Sequence, residues 1–273
     1  MNYPSIFRCP NCGAPLSRED RRYLCPAGHS FDLAAAGYTH LLPANQKNSK
    51  NPGDDKAMVT ARTAFLDAGY YASLRDTLCA VTAEALADKE GCAVLDCGCG
   101  EGYYTAGIAR SVKARIAGID ISKFALKKAA KRVSGGEFAV ASAYHLPLMD
   151  ESVDVLLNVF SPLAVEEFAR VLKPGGAFIY VVPSPLHLWE MKQVLYKNPY
   201  ENEVRRDEYP GFEYLGAKSV RETIHLTCPE HIMALFGMTP YAWKTPKEGV
   251  ERLRGYDALD TQIGFDVHIY KKI

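Results

Sequence analysis

The sequence has no long hydrophobic run. The longest uninterrupted apolar stretch, residues 177–183, is far shorter than the roughly 20 residues that a membrane-spanning helix needs. The first ten residues also lack the basic segment followed by an apolar stretch that a secretory signal would show. These two features predict a cytoplasmic protein with no part in the membrane.

The sequence also lacks an excess of charge of either sign. Lys and Arg together number 32, as do Asp and Glu, so the whole protein is not a polycation. The first 75 residues carry a net charge of +3, which is compatible with a basic face for nucleic acid but does not require one. A length of 273 residues with 48% hydrophobic and 23% charged residues excludes wholesale disorder. It fits one large α/β domain, or an ordinary domain with a small appendage.

Cysteine is unevenly distributed. In a cytoplasmic protein eight cysteines do not indicate a disulfide framework. Cys9-Pro-Asn-Cys12 and Cys25-Pro-Ala-Gly-His29 form two short pairs of soft ligands, a spacing that favours a closed tetrahedral zinc site. The alternative is a redox Cys-x-x-Cys pair or a coincidence. Because so short a segment buries little apolar surface, zinc would supply its folding energy, and we predict a structural zinc ribbon over residues 1–36.

The next segment has the composition of a connection. Residues 44–55 are rich in Asn, Pro, Gly and Ser, and Lys47, Lys50 and Lys56 could contact phosphate groups or simply be solvated. From Met58 onward apolar residues recur at helical spacing, with Gly69 as an interruption. We predict a linker and a lead-in helix over residues 37–75.

The remaining part, residues 76–273, alternates strand-like and helical segments. Ala/Lys-rich segments such as 123–132 and 164–172 have helical spacing. This alternation predicts a parallel, doubly wound α/β sheet. The five predicted strands are 92–96, 114–120, 137–141, 153–160 and 177–182.

A glycine-rich loop, Asp96-Cys-Gly98-Cys-Gly100-Glu-Gly102, follows the first of these strands. Its backbone N–H groups are expected to approach a ligand beside a helix N-terminus. Asp120 ends the second strand, where a carboxylate can accept hydrogen bonds from a ribose diol. A dinucleotide fingerprint would place its third glycine at Tyr103, and the Gly-Lys-Ser/Thr of a phosphate-binding P-loop is absent from the sequence.

The loop resembles motif I of class I S-adenosylmethionine-dependent methyltransferases. Lys173-Pro-Gly-Gly176 before the fifth strand is similar to a turn typical of that family. The resemblance implies a Rossmann-like doubly wound fold that binds S-adenosylmethionine.

Over nearly its full length, the chain further resembles the RlmA-type 23S rRNA (guanine-N1)-methyltransferases. The segments that carry this resemblance are the two cysteine pairs, 51–54, 64–71, 96–105, 183–188 and 238–243. The resemblance implies methylation of N1 of a guanine, at position 745 or 748, in a 23S rRNA hairpin near the peptide exit tunnel. It leaves a homodimer open. Asn51 departs from the family's usual Asp, with little consequence expected in a linker.

The resemblance also implies the residues of two sites. Cys9, Cys12, Cys25 and His29 match the family's structural zinc ligands, with one zinc ion per chain. The residues that match its cofactor site are Tyr71, Gly98, Cys99, Gly100, Glu101, Gly102, Asp120 and His187.

The catalytic residues stay unassigned. Guanine N1 lies on the Watson–Crick edge and carries a proton, so the reaction needs an unpaired base held by aromatic surfaces and a route for that proton. Tyr103, Tyr104 and Phe160, predicted at strand ends, could hold the base or pack in the core. Four residues could each be the general base or an ordinary structural group: Asp154, Glu166, Glu167 and His187. Substrate contacts are expected near Asn158, Ser161 and Pro162.

A zinc ribbon is a frequent nucleic-acid adaptor, so we expect residues 1–36 to take part in RNA recognition. Two other functions remain open at this point. One is methylation of a small molecule, with the ribbon serving assembly. The other is RNA binding by a methyltransferase fold without turnover. The intact glycine loop and Asp120 favour an enzyme.

Overall fold

The computed structural model describes residues 2–43, 53–204 and 208–273. Lys47, Lys50 and Asn51, which the sequence analysis singled out, lie outside these ranges. Within the described ranges, none of the helices combines the length and the apolar character needed to cross a membrane.

The amino-terminal residues form a small antiparallel sheet of four strands in sequential order. Three of its side chains are buried: Phe7, Leu16 and Tyr23. The strands are β1 (Asn2–Arg8), β2 (Pro15–Glu19), β3 (Arg22–Leu24) and β4 (Ser30–Asp32). This sheet is the predicted ribbon.

The rest of the chain is built on an eight-stranded sheet in the order β11-β12-β10-β9-β6-β7-β8-β5. Every residue of β6 and β9 is buried, as expected for apolar runs covered on both faces. The strands are β5 (Tyr38–His40), β6 (Ala93–Cys97), β7 (Arg115–Asp120), β8 (Glu137–Val140), β9 (Val153–Val159), β10 (Leu172–Pro183), β11 (Phe212–Leu226) and β12 (Leu259–Lys272).

Helices connect and cover these strands. Asp55 caps the first helix by accepting the Met58 N–H at 2.9 Å, and Ser122 caps the fourth. The predicted helix at 123–132 is confirmed, as is the interruption at Gly69. The helices are α1 (Lys56–Asp67), α2 (Ala72–Ala85), α3 (Tyr103–Ser111), α4 (Lys123–Arg132), α5 (Val165–Val171), α6 (Trp189–Leu195), α7 (Pro229–Gly237), α8 (Tyr241–Lys244) and α9 (Lys247–Arg254).

The five predicted strands are confirmed and pair parallel with one another, and the sheet continues beyond them at both edges. β12 pairs antiparallel with both β10 and β11. In β11, buried and exposed residues alternate irregularly and most positions are exposed. The sequence of this strand therefore shows no continuous apolar run. At the opposite edge β5 adds a parallel strand beside β8, from a segment that was predicted to be a linker. The domain boundaries at 36 and 75 stay a prediction.

One carboxylate connects the ribbon to the large sheet. Glu137, the first residue of β8, accepts hydrogen bonds from the Ser5 hydroxyl, from the Ile6 N–H at 3.3 Å and from the Tyr23 hydroxyl at 3.4 Å. Arg115 on β7 pairs with the same carboxylate at 3.1 Å. The ribbon and this face of the sheet also share one hydrophobic core, so their relative position is fixed by packing.

Candidate zinc and cofactor sites

Cys9, Cys12, Cys25 and His29 converge in the ribbon. Their ligand atoms all lie within 4.8 Å of one another. The Sγ atoms of Cys12 and Cys25 are 3.7 Å apart, and Nδ1 of His29 lies 3.5 Å from Cys9 Sγ and 3.4 Å from Cys25 Sγ. A tetrahedron with zinc–sulfur and zinc–nitrogen bonds of ordinary length has edges of about 3.5–3.8 Å. The donor set therefore fits Zn²⁺.

Two glycines shape the ligand turns. Gly13 (φ +73°) donates its N–H to the Cys9 carbonyl at 2.8 Å, and Gly28 (φ +83°) donates to the Cys25 carbonyl at 2.9 Å. Although burial opposes it, hydrogen bonds from the backbone of His29 and from the Cys12 thiol lower the pKa of Cys25 to about 7. A thiol that ionises near neutrality is suited to metal binding. Four protein ligands leave no open position, which makes a structural role the appropriate one.

The glycine loop joins β6 to α3, and its glycines are required by close packing. Gly98 (φ +83°) and Gly102 (φ +79°) adopt left-handed conformations. A methyl group on Gly98 would lie 2.2 Å from Cβ of Ser161, and one on Gly102 would lie 2.8 Å from Cα of Ala129. The loop can therefore fit between β9 and α4 only without these side chains.

The backbone N–H groups of the loop are used within the protein. Gly98 and Cys99 both donate to the Ile119 carbonyl at 2.9 Å, and Gly102 donates to the Cys99 carbonyl at 2.9 Å. The Gly100 N–H donates to Oδ2 of Asp120 at 2.9 Å. These four N–H groups are therefore hydrogen-bonded within the protein, and their approach to a ligand stays a prediction.

Asp120 ends β7 beside the loop, as the sequence predicted. Its Oδ1 accepts the Ser122 N–H at 2.7 Å and its Oδ2 accepts the Gly100 N–H. Burial raises the pKa of this carboxyl, while the two backbone hydrogen bonds oppose the rise. Each carboxylate oxygen keeps a second lone pair, so the group can still accept hydrogen bonds from a ribose diol.

Two further buried carboxyl groups accompany Asp120. Burial raises the pKa of Glu101, whose Oε1 has no hydrogen-bond partner within the described part of the protein. Burial also raises the pKa of Asp96 to about 7, although its hydrogen bond from the Thr105 hydroxyl opposes the rise. The loop is thus surrounded by acidic groups, an environment suited to a cationic ligand.

The raised pKa of Asp96 predicts a pH-dependent stability. Between the ordinary pKa of an aspartate and about 7 the folded protein binds a proton that the unfolded chain has released, so this group lowers the stability as the pH rises through that window. From pH 5 to pH 7 we expect the wild type to lose about 2–3 kcal/mol of unfolding free energy more than Asp96→Asn. Urea unfolding at several pH values measures this difference. Asp88→Asn, at an exposed position away from the glycine loop, serves as the control. Equal pH slopes for wild type and Asp96→Asn would contradict the assignment.

An aromatic cluster links Tyr71 and His187. Phe265 lies between them, with ring centroids 5.0 Å from Tyr71 and 4.7 Å from His187. Burial, followed by the charges of Lys192 and Arg221, lowers the pKa of His187 to about 3. His187 is therefore neutral and too weak a base to take a proton from guanine. Its Nδ1 accepts the Gly264 N–H at 3.2 Å, which leaves Nε2 as the donor.

Two of the other candidate bases, Asp154 and Glu167, have structural partners. Asp154 lies at the amino end of the sheet, away from the glycine loop, where it accepts the Ala93 N–H at 2.9 Å and pairs with Lys173 at 2.8 Å. Glu167 pairs with Arg170 at 2.7 Å and accepts the Leu146 N–H at 2.6 Å. These contacts assign Asp154 and Glu167 to structural roles.

The three predicted aromatic residues lie in two different places. Tyr103 and Tyr104 lie in the first turn of α3 and not at a strand end as predicted, and they pack against the core. Phe160 does follow the carboxyl end of β9, with φ +56° and 51% of its surface exposed. Of the three, Phe160 alone is half exposed at this edge, with its ring centroid 5.4 Å from that of Phe265.

Sequence reasoning missed the contact between residues 53–54 and the turn after β7. Gly53 (φ +76°) packs so closely on the turn after β7 that a methyl group would lie 2.7 Å from Cγ2 of Ile121. The Ser122 hydroxyl donates to the Asp54 carbonyl at 2.6 Å, and the Asp54 carboxylate pairs with Arg62 on α1. The Asn-Pro-Gly-Asp sequence indicated only a turn, which is why this segment was interpreted as a linker.

The fold and the two sites together define a class I S-adenosylmethionine-dependent methyltransferase that carries a zinc ribbon. Residues 7–50 match the zinc-ribbon family described as RlmA, N-terminal, and residues 95–180 match a methyltransferase domain family. The crystal structure of the YcgJ protein from Bacillus subtilis shares the fold, with a TM-score of 0.52 and 18% identity over 72% of this chain and 98% of that chain.

Similar sequences narrow the class to one family. A putative 23S rRNA (guanine-N1)-methyltransferase from Micromonospora griseorubida is 36% identical over 88% of this chain and 87% of its own length. The 23S rRNA (guanine(748)-N1)-methyltransferase from Streptomyces fradiae is 33% identical over 92% and 91%, and a further putative member, YxjB from Bacillus subtilis, is 31% identical over 98% of each chain. The chain belongs to the family of 23S rRNA (guanine-N1)-methyltransferases.

Proposed function

We propose that this protein transfers the methyl group of S-adenosylmethionine to N1 of a guanine in a 23S rRNA hairpin loop near the peptide exit tunnel. The observation that carries the proposal is the zinc ribbon packed into the same core as the methyltransferase sheet, an arrangement whose relatives align over almost the whole chain. Of guanines 745 and 748, the second has the direct support of the Streptomyces fradiae relative.

Methylation of a small molecule has weaker support. A fatty-acid O-methyltransferase from Mycolicibacterium smegmatis is 36% identical to this chain, but over only 37% of it. That similarity extends to less than half of the chain, whereas the rRNA-modifying relatives align over 88–98% of it. The extent of similarity therefore favours RNA as the substrate.

The residues proposed to hold the two cofactors are those predicted from the sequence. Cys9, Cys12, Cys25 and His29 hold one structural zinc ion. Asp120 accepts the ribose hydroxyls, and residues 98–102 form the floor of the site. Tyr71 and His187, which both contact Phe265, line the cofactor site as part of the aromatic cluster. Bound S-adenosylmethionine supplies an electrophilic methyl group on a sulfonium.

The protein's contribution to the reaction is mainly alignment of the guanine. The half-exposed ring of Phe160 offers a face on which an extruded base can stack, because it follows β9 at the edge where the glycine loop lies. Asn158, two residues earlier, donates its side-chain N–H to the Pro162 carbonyl at 2.9 Å and fixes the turn that presents Phe160. Holding N1 in line with the methyl group supplies the larger part of the rate.

Cellular location and oligomeric state complete the proposal. An enzyme that modifies 23S rRNA is expected in the cytoplasm, where that RNA is assembled into ribosomes. A homodimer stays a prediction, which sedimentation equilibrium of the purified chain would test.

Primer extension tests the function most directly. The protein and S-adenosylmethionine are incubated with 23S rRNA that lacks the modification. Because a methyl group on N1 blocks base pairing, reverse transcriptase should stop one nucleotide before the modified guanine. The position of the stop distinguishes guanine 745 from guanine 748, and S-adenosylhomocysteine in place of S-adenosylmethionine serves as the control. Absence of any stop, with cofactor binding intact, would indicate a different acceptor.

A further inference from the structure

The charges around the glycine loop leave one end of the cofactor without a partner. S-adenosylmethionine carries an ammonium, a sulfonium and a carboxylate. Asp96, Glu101 and Asp120 surround the loop with acidic groups, which suit the cationic parts. The N–H groups of Gly98, Cys99, Gly100 and Gly102 are used internally, so they offer no partner for the carboxylate. A cationic side chain at this end would balance the charge of the carboxylate.

Arg62 on α1 is placed to meet this need. Its Nη1 lies 3.9 Å from the position that a Cβ atom of Gly100 would occupy, so the guanidinium lies over the loop. Its positive charge lowers the pKa of both Glu101 and Asp120 against the larger effect of burial. The side chain is 22% exposed, so its charge is only partly screened by solvent.

The neighbouring cations have other partners. Arg132 pairs with Asp67 at 2.8 Å, Arg75 pairs with Asp76 at 2.7 Å, and Lys128 donates to the Thr63 hydroxyl at 2.9 Å. Arg62 also has a partner, Asp54. A guanidinium has five N–H donors in a planar fork, so a paired arginine can still bind a second carboxylate. Arg62 is distinguished from the other two arginines by its position over Gly100.

The segment that holds Arg62 is itself attached to the ribose end of the site. The Asp54 carbonyl accepts the Ser122 hydroxyl at 2.6 Å, and the Ser122 N–H binds Asp120. A continuous set of contacts thus runs from the proposed ribose ligand Asp120 through Ser122 and Asp54 to Arg62. We infer that Arg62 binds the carboxylate at the amino-acid end of the cofactor and that Asp54 positions its guanidinium. The inference rests on the proposed cofactor site and is independent of the RNA substrate.

Calorimetry with three ligands tests the inference on the full chain. The ligands are S-adenosylmethionine, decarboxylated S-adenosylmethionine and 5′-methylthioadenosine, of which only the first has the carboxylate. Arg62→Gln should weaken binding of S-adenosylmethionine roughly 10- to 100-fold, since a hydrogen-bonded charge pair is lost. Its affinity for the other two ligands should stay within about twofold of the wild type. Arg62→Lys, which keeps the charge but loses the fork, should give an intermediate loss for S-adenosylmethionine alone.

Two variants serve as controls. Asp120→Ala should weaken all three ligands alike, because they share the ribose. Arg132 also lowers the pKa of Glu101, but it pairs with Asp67. Arg132→Gln should therefore leave the affinities for all three ligands unchanged. Equal weakening of all three ligands by Arg62→Gln and Arg62→Lys, or no weakening at all, would overturn the role of Arg62. Failure of the wild type to bind any of the three would instead overturn the cofactor site itself.

Discussion

Replacing Cys12 with serine is expected to release the zinc ion and unfold the ribbon, while the chain still binds S-adenosylmethionine. A serine hydroxyl does not ionise near neutral pH, so the four-ligand site would lose one anionic donor. Structural zinc contributes about 10–16 kcal/mol to the folding of small zinc modules. The ribbon is built from short strands and has few apolar residues of its own. Zinc content by atomic absorption and cofactor affinity by calorimetry measure the two expectations.

The matched control is Cys228→Ser. Cys228 is a partly buried free thiol that precedes α7, outside the zinc ligands. This variant should keep one zinc ion per chain and should methylate RNA at the wild-type rate. The Cys12→Ser chain should lose methyl transfer to 23S rRNA and also lose thermal stability, because Glu137 and Phe7 connect the ribbon to the sheet. Retention of one zinc ion per chain after Cys12→Ser would refute the ligand assignment.

Replacing Gly98 with alanine is expected to destabilise the cofactor loop severely. The left-handed backbone costs an L-residue about 1–2 kcal/mol. The new methyl group would also lie 2.2 Å from Cβ and 2.6 Å from Oγ of Ser161, and such overpacking costs about 1–3 kcal/mol more. We expect the unfolding free energy to fall by about 2–5 kcal/mol in total. Denaturant unfolding measures this change, and calorimetry should show much weaker binding of S-adenosylmethionine.

Two further variants separate backbone strain from steric overlap. Gly135 has φ +80°, close to the +83° of Gly98, but a methyl group there would meet no atom within 4 Å. Gly135→Ala should therefore show the backbone cost alone. Ser161→Gly removes the side chain that the new methyl group of Gly98→Ala would strike, and the double variant should recover part of the lost stability. Equal effects of Gly98→Ala and Gly135→Ala would show that packing against Ser161 is unimportant.

The features predicted well from the sequence are those with strong local signals. The zinc ligands follow from the spacing of Cys9, Cys12, Cys25 and His29, since each pair lies within one turn. The central strands follow from apolar runs such as 153–159, which are buried on both faces. The last two strands could not be found in this way. β11 has many exposed positions, and its pairing with β12 joins residues far apart in the chain, such as Phe212 and Lys272.

The cofactor site shows the same division between local and tertiary signals. The glycine motif and Asp120 were predictable because a motif fixes their spacing. The internal hydrogen bonds of the loop N–H groups were not, since the acceptor of Gly98 and Cys99, the Ile119 carbonyl, belongs to the neighbouring strand. The ion pair of Asp54 with Arg62 was missed because the segment before α1 was interpreted as a linker. The contact of Asp54 with Ser122 was missed because it joins residues 68 positions apart in the chain. Burial of Asp96 and Glu101 likewise depends on helices that pack over the loop.

The attachment of the ribbon through Glu137 has a geometric consequence for the choice of nucleotide. β8, which begins at Glu137, pairs with β7, which ends at Asp120. Glu137 lies opposite Ala117, so Asp120 is three residues further along the strands, about 10 Å away. The ribbon and the proposed cofactor site are therefore attached to opposite ends of the same strand pair. If the ribbon binds the RNA hairpin, the target base is selected by its distance, along the RNA loop, from the nucleotides that the ribbon contacts. A change at the ribbon–sheet contact would then shift which nucleotide is modified and leave the chemistry of the transfer intact.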